Sequence, residues 1–150
     1  MSTEAVIDAS AIVALYVPEE TSNWIRMKVE EYTQFHILDL TMYEVDNAIW
    51  RKGVLLKELN HSEMELVFAN IQAFIDSLCI SHPYSEIRSE TIRIATKHGL
   101  TIYNSAYISL AQSIKSKFIT TDATLIQKLR NTELEEMLET PYHGDTSGVK

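Results

Sequence analysis

Short β-forming runs alternate with longer amphipathic runs along nearly the whole chain, and this alternation restricts the fold more than any other feature. Glu4-Ala5-Val6-Ile7-Asp8 reads as a first strand, and the stretch after it as a helix capped by the Ser10 hydroxyl. Thr21 to Thr33 reads as a helix capped by Thr21 or Ser22. Phe35-His36-Ile37-Leu38-Asp39 follows as a second strand, and Thr41 to about Lys52 as a helix. There Val45, Ala48, Ile49 and Lys52 fall at i, i+3, i+4 and i+7, one face of the helix, and Gly53 loosens its end. Ser62, with Glu65 three residues on, predicts a capping box for a helix reaching Asp76. Leu78-Cys79-Ile80 is expected to be a short third strand, and Tyr84 to His98 a helix stopped by Gly99. A further helix opens at Asn104 and carries Tyr107, Leu110, Ala111 and Ile114 at helical spacing. Phe118-Ile119-Thr120-Thr121 is a strand ending at Asp122, and Leu125, Ile126 and Leu129 stand at +3, +4 and +7 from that acid.

Strands that alternate with helices imply right-handed crossovers and a parallel sheet covered on both faces. The expected fold is therefore α/β, a three-layer α/β/α sandwich around a central parallel sheet of four to five strands. With 150 residues there is material for about one domain, placed at residues 1–140, and the polar segment 141–150 is expected to be a flexible tail. The longest apolar run, Ala11 to Val17, is too short to cross a bilayer, and no basic segment leads into an apolar one at the N-terminus. The expectation is a cytoplasmic protein without membrane contact. A lone Cys79 forms neither an internal disulfide nor a thiolate metal cage.

The net charge of −8 argues against indiscriminate nucleic-acid binding, which needs Lys and Arg for phosphate contacts. The charge is uneven, however. Arg88 to Arg130 contains seven bases and two acids, whereas Glu133 to Asp145 contains five acids and no base. Solvated helix faces account for the basic stretch, and a local phosphate-contacting surface is the alternative.

Ligands of open parallel sheets bind beyond the carboxyl ends of the strands, and several acids belong at that edge. Asp8 ends the first strand, Glu44 lies in the first turn after the second, Asp122 follows the fourth, and Asn104 opens a helix. Asp122 and Asn104 each serve equally well as caps, and Glu44 suits a positive helix N-terminus. Asp8, with Ser10 already available as the cap, has no evident structural task. Asp39 ends the second strand and is the reserve acid, while Asp46, about 200° around the helix from Glu44, points away. The five histidines are scattered without the spacing of a zinc site.

Four segments in order carry a resemblance. They are Val6-Ile7-Asp8-Ala9-Ser10-Ala11, Tyr43-Glu44-Val45-Asp46-Asn47-Ala48-Ile49-Trp50, Ile102-Tyr103-Asn104-Ser105-Ala106-Tyr107 and Ile119-Thr120-Thr121-Asp122-Ala123-Thr124-Leu125. The layout resembles a PIN domain of the VapC-type toxin branch, over residues 4 to 138. The resemblance implies a metal-dependent endoribonuclease, the toxin of a toxin–antitoxin pair. It makes Asp8, Glu44, Asn104 and Asp122 the catalytic set. Asp8, Glu44 and Asp122 become ligands for Mg²⁺ or Mn²⁺, with Ser10 and Thr120 as support. It also implies an RNA substrate, an antitoxin partner and a homodimer formed through the N-terminal helices, for which Ile12, Val13, Leu15 and Tyr16 offer apolar material; core burial explains that run equally well. Asn104 departs from the pattern, since relatives carry Asp there. Weakened turnover is the expectation, and a PIN-like module that binds RNA or a protein without turnover is the alternative.

Hard divalent cations favour carboxylate oxygens and stabilise the charge that builds up in phosphodiester hydrolysis. Two carboxylates about 5 Å apart repel by roughly 3 kcal/mol at an effective dielectric near 20, so a cluster of them calls for a cation. With Asn104 neutral, the free protein is expected to hold at most one divalent ion, weakly. Two unrelated classes also end a first strand in Asp. A haloacid-dehalogenase-type phosphatase needs a second Asp where Ser10 stands. A receiver domain needs an early acidic pair, for which Glu4 is badly placed, and a late Lys, which Lys115 or Lys117 supplies.

Overall fold

Five short parallel strands form the centre of the protein in the order β3-β2-β1-β4-β5, seen in a computed structural model that describes residues 3–142. The elements run β1 (Glu4–Ile7), α1 (Ala9–Tyr16), α2 (Ser22–Val29), β2 (Gln34–Leu38), α3 (Thr41–Trp50), α4 (His61–Leu78), β3 (Cys79–His82), α5 (Arg88–His98), α6 (Ile102–Ile114), β4 (Lys117–Ile119), α7 (Ala123–Leu129) and β5 (Leu138–Glu139). The chain winds outward from β1 in both directions. The order of connection therefore reverses beside β1, and the crevice beyond its carboxyl end is the natural ligand position.

Alternation along each strand decides which layer its residues join. Ala5, Ile7, Phe35, Ile37 and Ile119 pack on one face with Ile12, Val13, Ile25, Val45, Ile49, Ile71 and Phe74 from α1–α4. Val6, Leu38 and Phe118 pack on the other with Ile94, Tyr107, Ile108, Leu110, Leu125 and Leu129 from α5–α7. The expected three-layer α/β/α sandwich is thus present, with five strands. Ile12 and Val13 are buried within this single chain, and Leu15 and Tyr16 pack against the same core. Core burial therefore accounts for the run that had offered a dimer surface.

Several boundaries differ from expectation, each for a local reason. The capping box of α4 uses Asn60 and Glu63, two residues before Ser62 and Glu65: Asn60 Oδ1 accepts from Glu63 N at 2.8 Å and Glu63 Oε1 from Asn60 N at 2.9 Å. After Trp50 the chain widens into a π-helical turn, Arg51–Leu55, rather than stopping near Gly53. A Cβ on Gly53 would lie 2.1 Å from Met64 Sδ, so the Met64 side chain of α4 lies directly over the bare glycine of this turn. Tyr84–Glu86 is a separate 3₁₀ turn before α5, and Gly99 ends α5 with φ of 66° as expected.

His36 faces the α5–α6 layer, where a lone imidazole would be costly. Its Nε2 lies 2.6 Å from Glu4 Oε1 and its Nδ1 lies 2.8 Å from His82 Nε2, so a three-residue polar chain crosses β1, β2 and β3. Of the expected tail, Pro141 and Tyr142 are described and half-buried. Residues 143–150, His143 among them, lie outside the described residues.

Candidate active site

Asp8 follows β1 directly, and its backbone is still extended (φ −97°, ψ 173°) while Ala9 is already helical. This makes Asp8, not Ser10, the cap of α1, which corrects the sequence expectation. Asp8 Oδ1 accepts from Ala11 N at 3.0 Å and from Ser10 Oγ at 2.6 Å, and Oδ2 accepts from Thr120 Oγ1 at 2.5 Å. The supposed lack of a structural task for Asp8 was therefore mistaken, because the same carboxylate closes the helix. Only 5% of Asp8 is exposed. Burial pushes its carboxyl up to about 6 against the three hydrogen bonds, and the charge of Asp122 adds to the rise.

Asp122 arrives from β4 by a similar device. It caps α7, its Oδ1 accepting from Thr124 N at 3.0 Å and Leu125 N at 3.1 Å. Its own N–H donates to Thr120 Oγ1 at 3.1 Å. Thr120 thus accepts from one acid's backbone and donates to the other's side chain. Ser10 Oγ donates to Asp8 and accepts from Thr121 N at 3.2 Å and Thr121 Oγ1 at 3.1 Å, which ties α1 to the β4–α7 connection. Asp8, Ser10, Thr120, Thr121 and Asp122 thus form one hydrogen-bonded network across the β1–α1 and β4–α7 connections.

Glu44 approaches from α3 and is fixed separately. Tyr107, on α6 and only 2% exposed, donates its hydroxyl to Glu44 Oε1 at 2.6 Å. The proton order follows: Tyr107 has one proton and spends it on Glu44, so Thr41 Oγ1, 2.7 Å away, donates to Tyr107 and accepts from Leu38 N at 3.0 Å. Burial raises the Glu44 carboxyl from its ordinary range, and the Tyr107 bond opposes that rise. The Tyr107 hydroxyl is pushed strongly upward by burial, then by the charge of Glu44, with a smaller contribution from Asp8. One buried phenol therefore lies within electrostatic reach of both acids.

Asn104 does not open α6. Thr101 caps it, its hydroxyl accepting from Asn104 N at 3.1 Å, and Asn104 is half-buried three residues before Tyr107, on the same helix face. Asp39 is exposed and accepts from Tyr84 N at 3.3 Å, on the β3 side. Asp46 is exposed on α3. Lys117 starts β4 and Lys115 ends α6, at the amino edge of the sheet opposite Asp8; Arg93 pairs with Glu90 and Lys97 with Glu133. Much of the basic stretch thus neutralises neighbouring acids or lies at the far edge.

Among the described residues, no three His, Cys, Asp or Glu side chains form a ready metal cage. The donor chemistry nevertheless suits a hard divalent cation. A buried carboxylate has its charged form disfavoured by burial and, to a smaller extent, by a second acid, the surrounding groups are hydroxyls and carboxylates, and neither thiol nor imidazole intrudes. Tyr107, Thr41 and Thr121 were missed as site residues. Tyr107 looked like core because its spacing is that of a buried stripe, although a buried phenol needs a hydroxyl partner, and that requirement was the available signal.

The PIN-domain family model matches residues 5–130. The chain belongs to the PIN-domain family. Within it, the protein falls in the VapC-type branch. It is 39% identical to Ribonuclease VapC3 of Pyrobaculum aerophilum over 126 residues, which are 82% of this chain and 92% of that protein. It is 27% identical to Exonuclease VapC9 of the same organism over 141 residues, which are 92% of this chain and 96% of that one. The crystal structure of PAE2754 from Pyrobaculum aerophilum superimposes with a TM-score of 0.59 at 28% identity, covering 87% of this PIN domain and 81% of that chain.

Proposed function

We propose that this PIN domain is a divalent-metal-dependent endoribonuclease and the toxin of a toxin–antitoxin pair. The observation that carries the reading is the pairing of Asp8 with Asp122 through Thr120 at the carboxyl edge of β1 and β4, with Asp8 buried and its carboxyl raised to about 6. An acid pair of this kind is unfavourable alone and favourable around a cation. Asp8, Asp122 and Glu44 are the proposed holders of Mg²⁺ or Mn²⁺. When bound, the ion supplies Lewis-acid stabilisation of the phosphoryl oxygens and lowers the pKa of a bound water.

Everything else falls to the chain. Ser10 and Thr120 act as positioning residues that hold both oxygens of Asp8 in one rotamer. Tyr107 holds Glu44 by Oε1, which leaves Oε2 as the oxygen available to the cation. Asn104 contributes an amide without charge, which lowers the attraction for a second cation. An antitoxin segment bearing an Arg would meet the same carboxylates. Val54, Leu55, Leu56 and Leu66, all exposed on the α3–α4 hairpin, offer apolar surface for such a partner or a second copy.

The test uses a circular single-stranded RNA, because the relatives' names divide between ribonuclease and exonuclease and a circle has no ends. Incubation with Mn²⁺ is expected to linearise it, and chelation or Asp8→Asn to prevent this. A circle left intact while a linear strand shortens from one end would replace the endonuclease reading with an exonuclease one. Metal-independent cutting that survives Asp8→Asn would remove the mechanism. No cutting by the native protein, with cutting gained in Asn104→Asp, would favour the binding module.

A further inference from the structure

Next to the acids lies a cavity of about 480 Å³ with a different character. Leu38, Tyr84 and Ile102 line it, Tyr43 and Tyr103 flank it, and Asp39 is its charged member. Tyr43 is 78% exposed and Tyr103 57%, although each sits in the first turn of a helix that is otherwise well packed. Tyr43 lies on α3 with Glu44, and Tyr103 and Ala106 lie on α6 with Asn104 and the Tyr107 that holds Glu44, so the cavity is walled by the two helices that carry that flank of the site.

We propose that this cavity binds one base of the RNA next to the cleaved bond, stacked by Tyr43 and Tyr103 and selected as guanine by Asp39. The inference rests on the ribonuclease reading above. Aromatic faces bind any base by stacking, whereas hydrogen bonds to the Watson–Crick edge choose among bases. Asp39 is anchored for this purpose: its N–H donates to His82 O at 3.0 Å, and its Oδ2 accepts from Tyr84 N at 3.3 Å. An ionised carboxylate only accepts hydrogen bonds. Guanine alone among the four bases offers two adjacent donors, N1–H and the N2 amino group, on that edge. Adenine and cytosine place a ring-nitrogen acceptor beside the amino group, and uracil flanks its single N–H with carbonyls. The same negative charge and the apolar walls reject phosphate, so a base enters and the backbone stays outside. Continuity with Glu44 and Asn104 favours a nucleotide over a protein side chain as the occupant.

The experiment compares short RNAs that differ at a single nucleotide, carrying guanine, inosine, adenine, cytosine or uracil, in cleavage with Mn²⁺ and cut-site mapping. A parallel arm measures the fluorescence change of thienoguanosine, a fluorescent guanine analogue that keeps the N1–H and 2-amino donors, placed at the same nucleotide, on binding to the metal-free protein. The expected result is a guanine preference at one position beside the cut, with inosine, which lacks the amino group, intermediate. Asp39→Asn is expected to erase a preference of about tenfold or more, the usual effect of a hydrogen bond to a charged group. Tyr43→Ala and Tyr103→Ala are expected to lower kcat/KM for all bases and to abolish the fluorescence change. Arg-bearing peptide serves as the control: peptide binding that Asp39→Asn and Tyr43→Ala weaken, with no fluorescence change from the RNA, would assign the cavity to a protein partner and overturn the proposal. Cleavage with an unchanged base pattern in all three variants would also overturn it while leaving the ribonuclease reading intact. Absence of cleavage in the native protein would sink that reading, and the fluorescence change would then still decide whether the cavity takes a base.

Discussion

The two flanks of the acidic site are built on different principles. On the β1–β4 flank, Asp8 directly follows β1, Asp122 lies three residues beyond β4, and each caps a helix, so backbone geometry fixes them and the Thr120 hydroxyl links them. On the α3–α6 flank, Glu44 lies inside a helix and depends on one phenol, itself oriented by Thr41, and the fourth position is the neutral Asn104. The first flank is dense in charge and desolvated. The second is adjustable and short of one charge. In the proposed function the acids of the first flank would decide whether a cation binds at all, and the second flank would tune the affinity for a second cation.

The largest effect should come from breaking the first flank. Asp8→Asn is expected to reduce RNA cleavage by about a hundredfold or more, measured as initial rate with Mn²⁺. The same variant separates the electrostatic cost from the chemistry. Asp8 has a folded pKa near 6, above its ordinary 3.8, so the native state takes up a proton more readily than the unfolded chain between those values. Metal-free stability therefore falls as pH rises from about 4 to 6 and stays low above that. Thermal melts should show Asp8→Asn more stable than the native protein at pH 7.5 without metal, and this advantage should vanish at pH 4. An advantage that persisted at pH 4 would mean that the carboxylate's burial is not its cause. Added Mn²⁺ should raise the Tm of the native protein but not of Asp8→Asn.

A gain should follow from charging the second flank. Asn104→Asp is expected to raise cleavage about tenfold and to add a second Mn²⁺ event to a calorimetric titration that shows one weak event in the native protein. Two tight events already present without the substitution would erase the proposed difference between the flanks. A smaller change is expected from Tyr107→Phe, which removes the hydrogen bond that lowers the Glu44 carboxyl. Glu44 then ionises at higher pH, and the acid limb of the pH–rate profile should move upward. A loss of about 1 kcal/mol in unfolding free energy should accompany it; the same loss with an unmoved acid limb would give Tyr107 a packing role alone. The smallest effect belongs to Asp46→Asn on the exposed side of α3, where cleavage should stay within about twofold, as for surface substitutions generally.

Much of the fold was legible because it rests on periodicity. The 3.6-residue stripes of α3 and α6 and the Gly99 stop read out correctly, since one-sided burial and a left-handed cap leave marks in local sequence. Helix starts were less legible. Ser10 against Asp8, Ser62 against Asn60 and Asn104 against Thr101 each offered two good caps within three residues, and the choice depends on where the preceding backbone is still extended. Leu138–Glu139 was too short to read as a strand, because a two-residue pairing with β4 is invisible without its partner.

Sequence alone determined the layered α/β architecture and the identity of the acids at strand ends, because both follow from neighbours a few residues apart. Only tertiary structure decided what those acids experience. Asp8 is joined to Thr120 across 112 positions, and Glu44 to Tyr107 across 63. Hydrogen-bond order, burial and the mutual repulsion of charges depend on distance in space, and the chain's order does not encode that distance until the sheet has formed.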